Sequence, residues 1–150
     1  MASLTLGWEV KMANSKAIGV AYSDQNIYGA DQVMANSQFG YTTAAQGTVT
    51  QLTSKVTGVT LNKSAGRITM AADALGATTA SSFTLTNSFI SANDVLVLCV
   101  SAGSVADPLA YTVYTSSLGA GSAVITLRNL SATSRSEAVV VNFALLHCEG

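Results

Sequence analysis

From Gly47 onward the chain breaks into short β-prone runs, spaced by about 8–12 residues with turn-forming residues between them, the spacing expected of a sandwich or barrel. These runs fall near 47–53, 57–63, 66–71, 81–87, 94–101, 109–115, 122–130 and 137–147. In several of them apolar and polar positions alternate. Val59, Leu61 and Lys63 share one face while Thr60 and Asn62 share the other, and Ile68 and Met70 alternate with Arg67 and Thr69. Side chains on a strand point to opposite faces in turn, so such strands present one face to a core and one to water. The pattern predicts an all-β fold: an antiparallel β-sandwich, jelly-roll-like, of about eight strands, behind an irregular N-terminal arm.

Two runs depart from alternation. Val95-Leu96-Val97-Leu98-Cys99-Val100 and the stretch from Ala138 to Leu146 are apolar on both faces. An antiparallel sandwich buries only one face of each strand, so the second face needs a cover. A symmetric subunit contact and an N-terminal segment folded back over this face both meet that need. Between strands, Asn62 to Gly66 reads as a hairpin loop with Gly66 as its permissive residue. Gly119-Ala120-Gly121-Ser122 reads as a second hairpin turn, and Pro108 after Asp107 as a further turn. Ala71 to Gly76 is expected to form one helical turn ending at Gly76. No sustained helical period and no internal repeat is present.

The first 46 residues are of another kind. Their apolar clusters are Trp8-Glu9-Val10-Lys11 and Ala17 to Tyr22, set among small, polar and turn-prone residues. The expected organisation is therefore an attachment or oligomerisation arm over 1–46 and a β-sandwich domain over 47–150. Aromatic residues are effective interface anchors, which makes Trp8, Tyr22, Tyr28, Phe39 and Tyr41 the candidate partner-binding residues. The same segment can equally pack on its own domain as an irregular lead-in.

Composition sharpens this picture. The chain is 49% hydrophobic and only 10% charged, against about 25% charged in an average soluble domain. Ser, Thr, Asn and Gly supply the polar surface, and Thr suits the pleat. So few charges give little of the repulsion that keeps small proteins apart, which points to assembly. A net charge of −1 with seven dispersed cations gives no basic footprint for nucleic acid. The apolar run Val95 to Val100 is far short of the roughly 18 residues of a membrane-spanning helix. The start, Met1-Ala2-Ser3-Leu4-Thr5, lacks the basic and apolar regions of a secretory signal, so synthesis in a cytoplasm is expected. Cys99 and Cys148 lie in apolar surroundings and are expected to be buried free thiols.

Residues able to carry chemistry are sparse. His147 ends the last strand; a pair with Cys99 or Cys148 is conceivable, but neighbouring strand residues point to opposite faces, which disfavours Cys148. Asp94 and Asp107 read as turn residues that bond their own backbone. The other carboxylates are scattered and form neither a two-carboxylate hydrolase site nor a dense calcium loop. Ser134 to Glu137 mixes charge signs and reads as a solvated loop or rim contact. No catalytic residue, metal ligand set or cofactor motif is expected, and the chain is read as a non-enzyme.

The runs Gly47-Thr48-Val49-Thr50-Gln51, Thr57 to Lys63, Gly66 to Met70, Ser82 to Ser88, Asp94 to Val97, Ala120-Gly121-Ser122, Arg128-Asn129, and Ser136-Glu137-Ala138 leading to Val141-Asn142-Phe143-Ala144 together resemble a module of small bacteriophage virion proteins. The resemblance spans about 47–146. It implies a β-sandwich and a homotrimer, brings no catalytic residues, and leaves the first 46 residues outside the match. Such modules resemble both capsid decoration, or cement, proteins and fibre components. The expectation is a decoration protein on the capsid surface of a virion, made in the host cytoplasm, with itself and the major capsid protein as partners. A head-fibre or tail-fibre component is the alternative, and a carbohydrate-binding module a more distant one.

Overall fold

Along Ala80–Thr86 the alternation is strict: Ser81, Phe83 and Leu85 are buried, and Ala80, Ser82, Thr84 and Thr86 between them are exposed. A strand of this kind covers a core with one face, and such strands build two four-stranded sheets among the described residues. The computed structural model describes residues 34–148. The chain divides between Gln38 and Phe39, and the unit that starts at Phe39 holds the eight described strands. These are β1 (Gln46–Thr50), β2 (Val59–Thr60), β3 (Ala65–Thr69), β4 (Ala80–Thr86), β5 (Val95–Val100), β6 (Tyr111–Gly119), β7 (Ser122–Asn129) and β8 (Val140–Leu146). The first sheet has the order β1-β3-β8-β5 and the second β2-β4-β7-β6.

From β1 to β6 the chain changes sheet at every connection. Two such crossings reverse the chain twice, so a strand that returns to its sheet runs in its original direction. For this reason β1 pairs parallel with β3, and β2 with β4. The sheets are thus mixed, where sequence pattern led us to expect a wholly antiparallel, jelly-roll-like arrangement. The remaining neighbours are antiparallel. Only β6 and β7 are joined as a hairpin, through Ala120 and Gly121, whose φ of 79° favours glycine.

The connection at Asn62 to Gly66 is consequently no hairpin: it carries the chain from β2 in one sheet to β3 in the other. Gly66 lies within β3, opposite Gly47 on one side and Phe143 on the other. A Cβ there would stand 2.7 Å from Leu61 Cδ2, 2.8 Å from the Gly47 carbonyl oxygen and 2.9 Å from Phe143 Cε1. Close approach, and not turn geometry, demands the glycine. The expected helical turn at Ala71 to Gly76 is absent as well. That stretch is irregular, with a bend at Ala72, and Leu75 exchanges backbone hydrogen bonds with Arg135 at 2.7 and 3.0 Å. The turn expected at Pro108 is present, as a 3-10 turn over Pro108–Ala110 with Asp107 accepting from the Leu109 amide.

The core lies between the sheets. Ile68, Val141, Phe143 and Leu145 of the first sheet meet Phe83, Leu85, Ile125 and Leu127 of the second, all nearly inaccessible. Burial on this scale dominates the stability of the fold. The connections after β1, β3, β5 and β7 gather at one end of the sandwich, where buried polar side chains tie them down. Asn129 is the hub: its amide nitrogen donates to the carbonyls of Leu75, Gly76 and Thr133, and its oxygen accepts from the amide and hydroxyl of Ser131. Gln51 serves the loop after β1 in the same way, donating to the carbonyls of Lys55 and Thr57 and accepting from the Ala71 amide.

Candidate functional site

Lys55 is the most deeply buried charged residue described, 1% exposed. Its ammonium donates to the carbonyls of Ala71 at 2.5 Å, Asp73 at 2.8 Å and Glu137 at 3.0 Å, and lies 3.5 Å from Asp73 Oδ1. Burial pulls its pKa down, and the Asp73 and Glu137 carboxylates oppose that pull. All three donors are engaged, so Lys55 fastens loops and has none to offer a substrate. Nearby, Arg135 pairs with Asp107 at 3.0 Å and Glu137 at 3.4 Å, and the Tyr111 hydroxyl donates to Glu137. That hydrogen bond is the main reason Glu137 is held below the usual carboxylate range. Burial and the same carboxylate push the Tyr111 phenol up. The charged run at Ser134 to Glu137 is therefore a brace between loops.

His147 lies one residue beyond the end of β8, not on the strand as the sequence pattern suggested, with its ring largely exposed, and its Nδ1 lies 2.9 Å from Asp94 Oδ1. It has no Cys partner: Cys99 is exposed on the outer face of β5, and Cys148 donates weakly to the Leu146 carbonyl. The expectation of two buried thiols is thus corrected. Both are free, but Cys99 falls on the outward phase of β5 and Cys148 beyond the end of β8. Asp94 does bond the backbone of its own turn, accepting from the amide and hydroxyl of Ser91. It also accepts from the Cys148 amide, which ties the last residues to the turn before β5. Burial of the carboxyl favours its protonated form, but the bonds from Ser91, Cys148 and His147 outweigh this and hold Asp94 well below the usual carboxylate range. Among the described residues no nucleophile is hydrogen-bonded to His147, and no three His, Cys, Asp or Glu side chains gather as a metal site.

The outward faces of the sheets differ in chemistry. On the second sheet hydroxyls dominate: Thr126 Oγ1 bonds both Ser82 Oγ and Ser116 Oγ at 2.8 Å, and Ser116 is the extra residue where the β6–β7 register shifts. The first sheet is apolar toward its β5 edge. Val95 faces Leu146 and Val97 faces Ala144 across the β5–β8 ladder, and Val95, Val97 and Leu146 remain 47–49% exposed. The inward residues of these strands, Leu96, Val141, Phe143 and Leu145, are buried. Both apolar faces expected from the sequence are therefore present, one in the core and one at the surface.

The candidate anchors fall into two groups. Trp8, Tyr22 and Tyr28 lie outside the described residues. Phe39 and Tyr41 are brought to the outer face of the first sheet, where with Ala144, Leu146 and His147 they line a cleft of about 420 Å³. The Tyr41 hydroxyl donates to the Leu145 carbonyl, the Gln46 amide donates to the Tyr41 carbonyl at 2.9 Å, and Lys63 donates to the Ala44 carbonyl at 2.7 Å. Residues 39–45 are thereby fastened to the sandwich, although Phe39 itself is 84% exposed. The part of the described chain that folds back over the spare face is this short segment. Comparison with models of known families, with curated proteins and with solved structures found no match for the chain.

Proposed function

We propose that the protein is a non-enzymatic structural component of a bacteriophage particle, a capsid decoration or cement protein. The observation that carries this reading is the apolar strip of Val95, Val97 and Leu146 beside the exposed ring of Phe39, at the point where the chain arrives from residues 1–38. An isolated subunit gains nothing from leaving such a strip in water, whereas an assembly gains its burial. The scarcity of charge and the resemblance over 47–146 agree with that use. The partners are further copies of the chain, in a trimer, and the major capsid protein of the shell. The mechanism is mass action: contacts made only with the assembled shell stabilise it without chemistry. Residues 1–38 act as the attachment arm, and the domain proper starts at Phe39.

Co-sedimentation with assembled heads tests the reading. A chain truncated before Phe39 is expected to keep its β-sheet circular dichroism and cooperative melting while losing head binding. Binding at full strength by the truncated chain refutes the arm's role. An electron cryo-microscopy map of the particle with the protein on fibres, not on the shell, refutes the decoration reading itself.

A further inference from the structure

Buried polar and exposed apolar side chains meet at the end of the sandwich where the connections after β1, β3, β5 and β7 gather. Leu52 is 91% exposed and Leu109 84%, and Val56 and Leu130 are exposed as well. Single apolar residues at a surface are ordinary. These four differ in what holds them there. Leu52 follows Gln51, Val56 follows Lys55, Leu130 follows Asn129 and Leu109 precedes Ala110, and each of those four neighbours is buried.

Gln51, Lys55 and Asn129 are the side chains that bind the connections to one another, and the Ala110 carbonyl accepts from the Leu130 amide at 2.7 Å. The backbone that carries each apolar side chain is therefore fixed before any partner arrives. Groups ordered in advance lose less freedom on binding than groups on a mobile loop. Charge at this end is sorted in the same way. The cations of the four connections are Lys55 and Arg135, with side chains 2% and 21% exposed, whereas their partners Asp73 and Asp107 remain 40% and 45% exposed. What faces outward is apolar and negative.

We propose that this end seats on the assembled head, on a protein surface that offers apolar sockets to Leu52, Val56, Leu109 and Leu130 and lysine or arginine side chains to Asp73 and Asp107. Opposite charge across an interface fixes its register and excludes wrong partners. A second copy of the chain fits less well, because a twofold contact sets a patch against itself and so brings like carboxylates together. The inference rests on the head-binding reading and adds a second attachment point to the arm of residues 1–38. Two contacts carried by one chain reinforce each other through effective concentration, so losing either releases the protein.

The test is co-sedimentation of the full-length chain with assembled heads, unaltered or carrying Leu52→Ser with Leu109→Ser, Thr53→Lys alone, or Thr84→Lys alone. Thr53 is exposed next to Leu52, and Thr84 is exposed on the outer face of the second sheet. The paired leucine substitutions are expected to weaken head binding at least about tenfold, as for the loss of well-packed interface contacts. Their thermal midpoint is expected to stay unchanged, because both side chains lie in water. Thr53→Lys is expected to weaken binding, and Thr84→Lys to leave it as it is. Head binding by the leucine double variant equal to that of the unaltered chain overturns this inference alone, and no binding by the unaltered chain refutes the head-binding reading and the inference with it. A Thr53→Lys effect no larger than that of Thr84→Lys also overturns it. So does an oligomer in sedimentation velocity without heads, or flotation with phosphatidylcholine vesicles, that the leucine substitutions abolish, since these outcomes give the end to a second copy or to a lipid surface.

Discussion

Asp94 shows how one turn residue becomes a structural joint. Its carboxylate caps the turn at Ser91, holds the Cys148 amide at 3.0 Å and faces His147. Because its folded pKa lies below the ordinary value of 3.8, the ionised form is favoured by folding, and the stability it contributes is present above that value. It is lost progressively as pH falls below 3.8 toward the depressed folded pKa. Thermal melts over an acid series are expected to show this loss, and Asp94→Asn to flatten that part of the curve while lowering the neutral-pH midpoint. Asn129 is a second such joint. Asn129→Ala leaves the carbonyls of Leu75, Gly76 and Thr133 their donors from Arg135, Thr79 and Ser131 but deprives the Ser131 amide of its acceptor, and at about 1–3 kcal/mol per buried orphan a loss in that range is expected in urea unfolding. Sequence pattern marked Asp94 as a turn residue. It could not mark Asn129 as a hub, because its partners lie up to 54 residues away.

Among the elements, strand positions were legible and their pairing was not. All eight expected runs contain a strand, although the run at 57–63 contributes only Val59–Thr60 and the last strand begins at Val140. Alternation reports burial, and burial is a local property of a strand's two faces. Pairing depends on which sheet the chain enters after each connection, and no local pattern encodes that choice. The hairpin expected at Asn62 to Gly66 failed for this reason, while the one at Ala120-Gly121 succeeded because its turn residues lie between strands in immediate succession. Gly66→Ala discriminates the two roles for Gly66. A flexible loop glycine tolerates alanine, but here the added methyl meets Leu61, the Gly47 carbonyl and Phe143. Overpacking of this kind is expected to destabilise by roughly 1–3 kcal/mol, measurable by denaturant titration.

For the whole molecule, the outer apolar strip links fold to proposed function. Val97→Lys places a charge on a half-exposed position on the outward face of β5, opposite Ala144. Folding stability is expected to change by no more than about 0.5 kcal/mol, as for ordinary surface substitutions. Self-association in analytical ultracentrifugation, and binding to assembled heads, are expected to fall sharply. An unchanged sedimentation profile and unchanged head binding would remove this strip from the interface. The same strip was legible in the sequence from the double-sided apolar runs at Val95–Val100 and Ala138 to Leu146.

What the sequence determined by itself was therefore the all-β class, the approximate places of the eight described strands, the alternating faces of the runs at 57–63 and 66–71 and the surplus apolar face, because periodicity and hydrophobicity act residue by residue along the chain. Tertiary structure alone decided the alternation between sheets, the two parallel pairs it forces, the burial of Lys55 and Asn129, and the outward placement of Cys99. It alone also brought Phe39, Tyr41, Leu146 and His147 to one cleft, and Leu52, Val56, Leu109 and Leu130 to one end of the sandwich. Each of these depends on contacts between residues distant in sequence, and such contacts exist only once the sheets have chosen their partners.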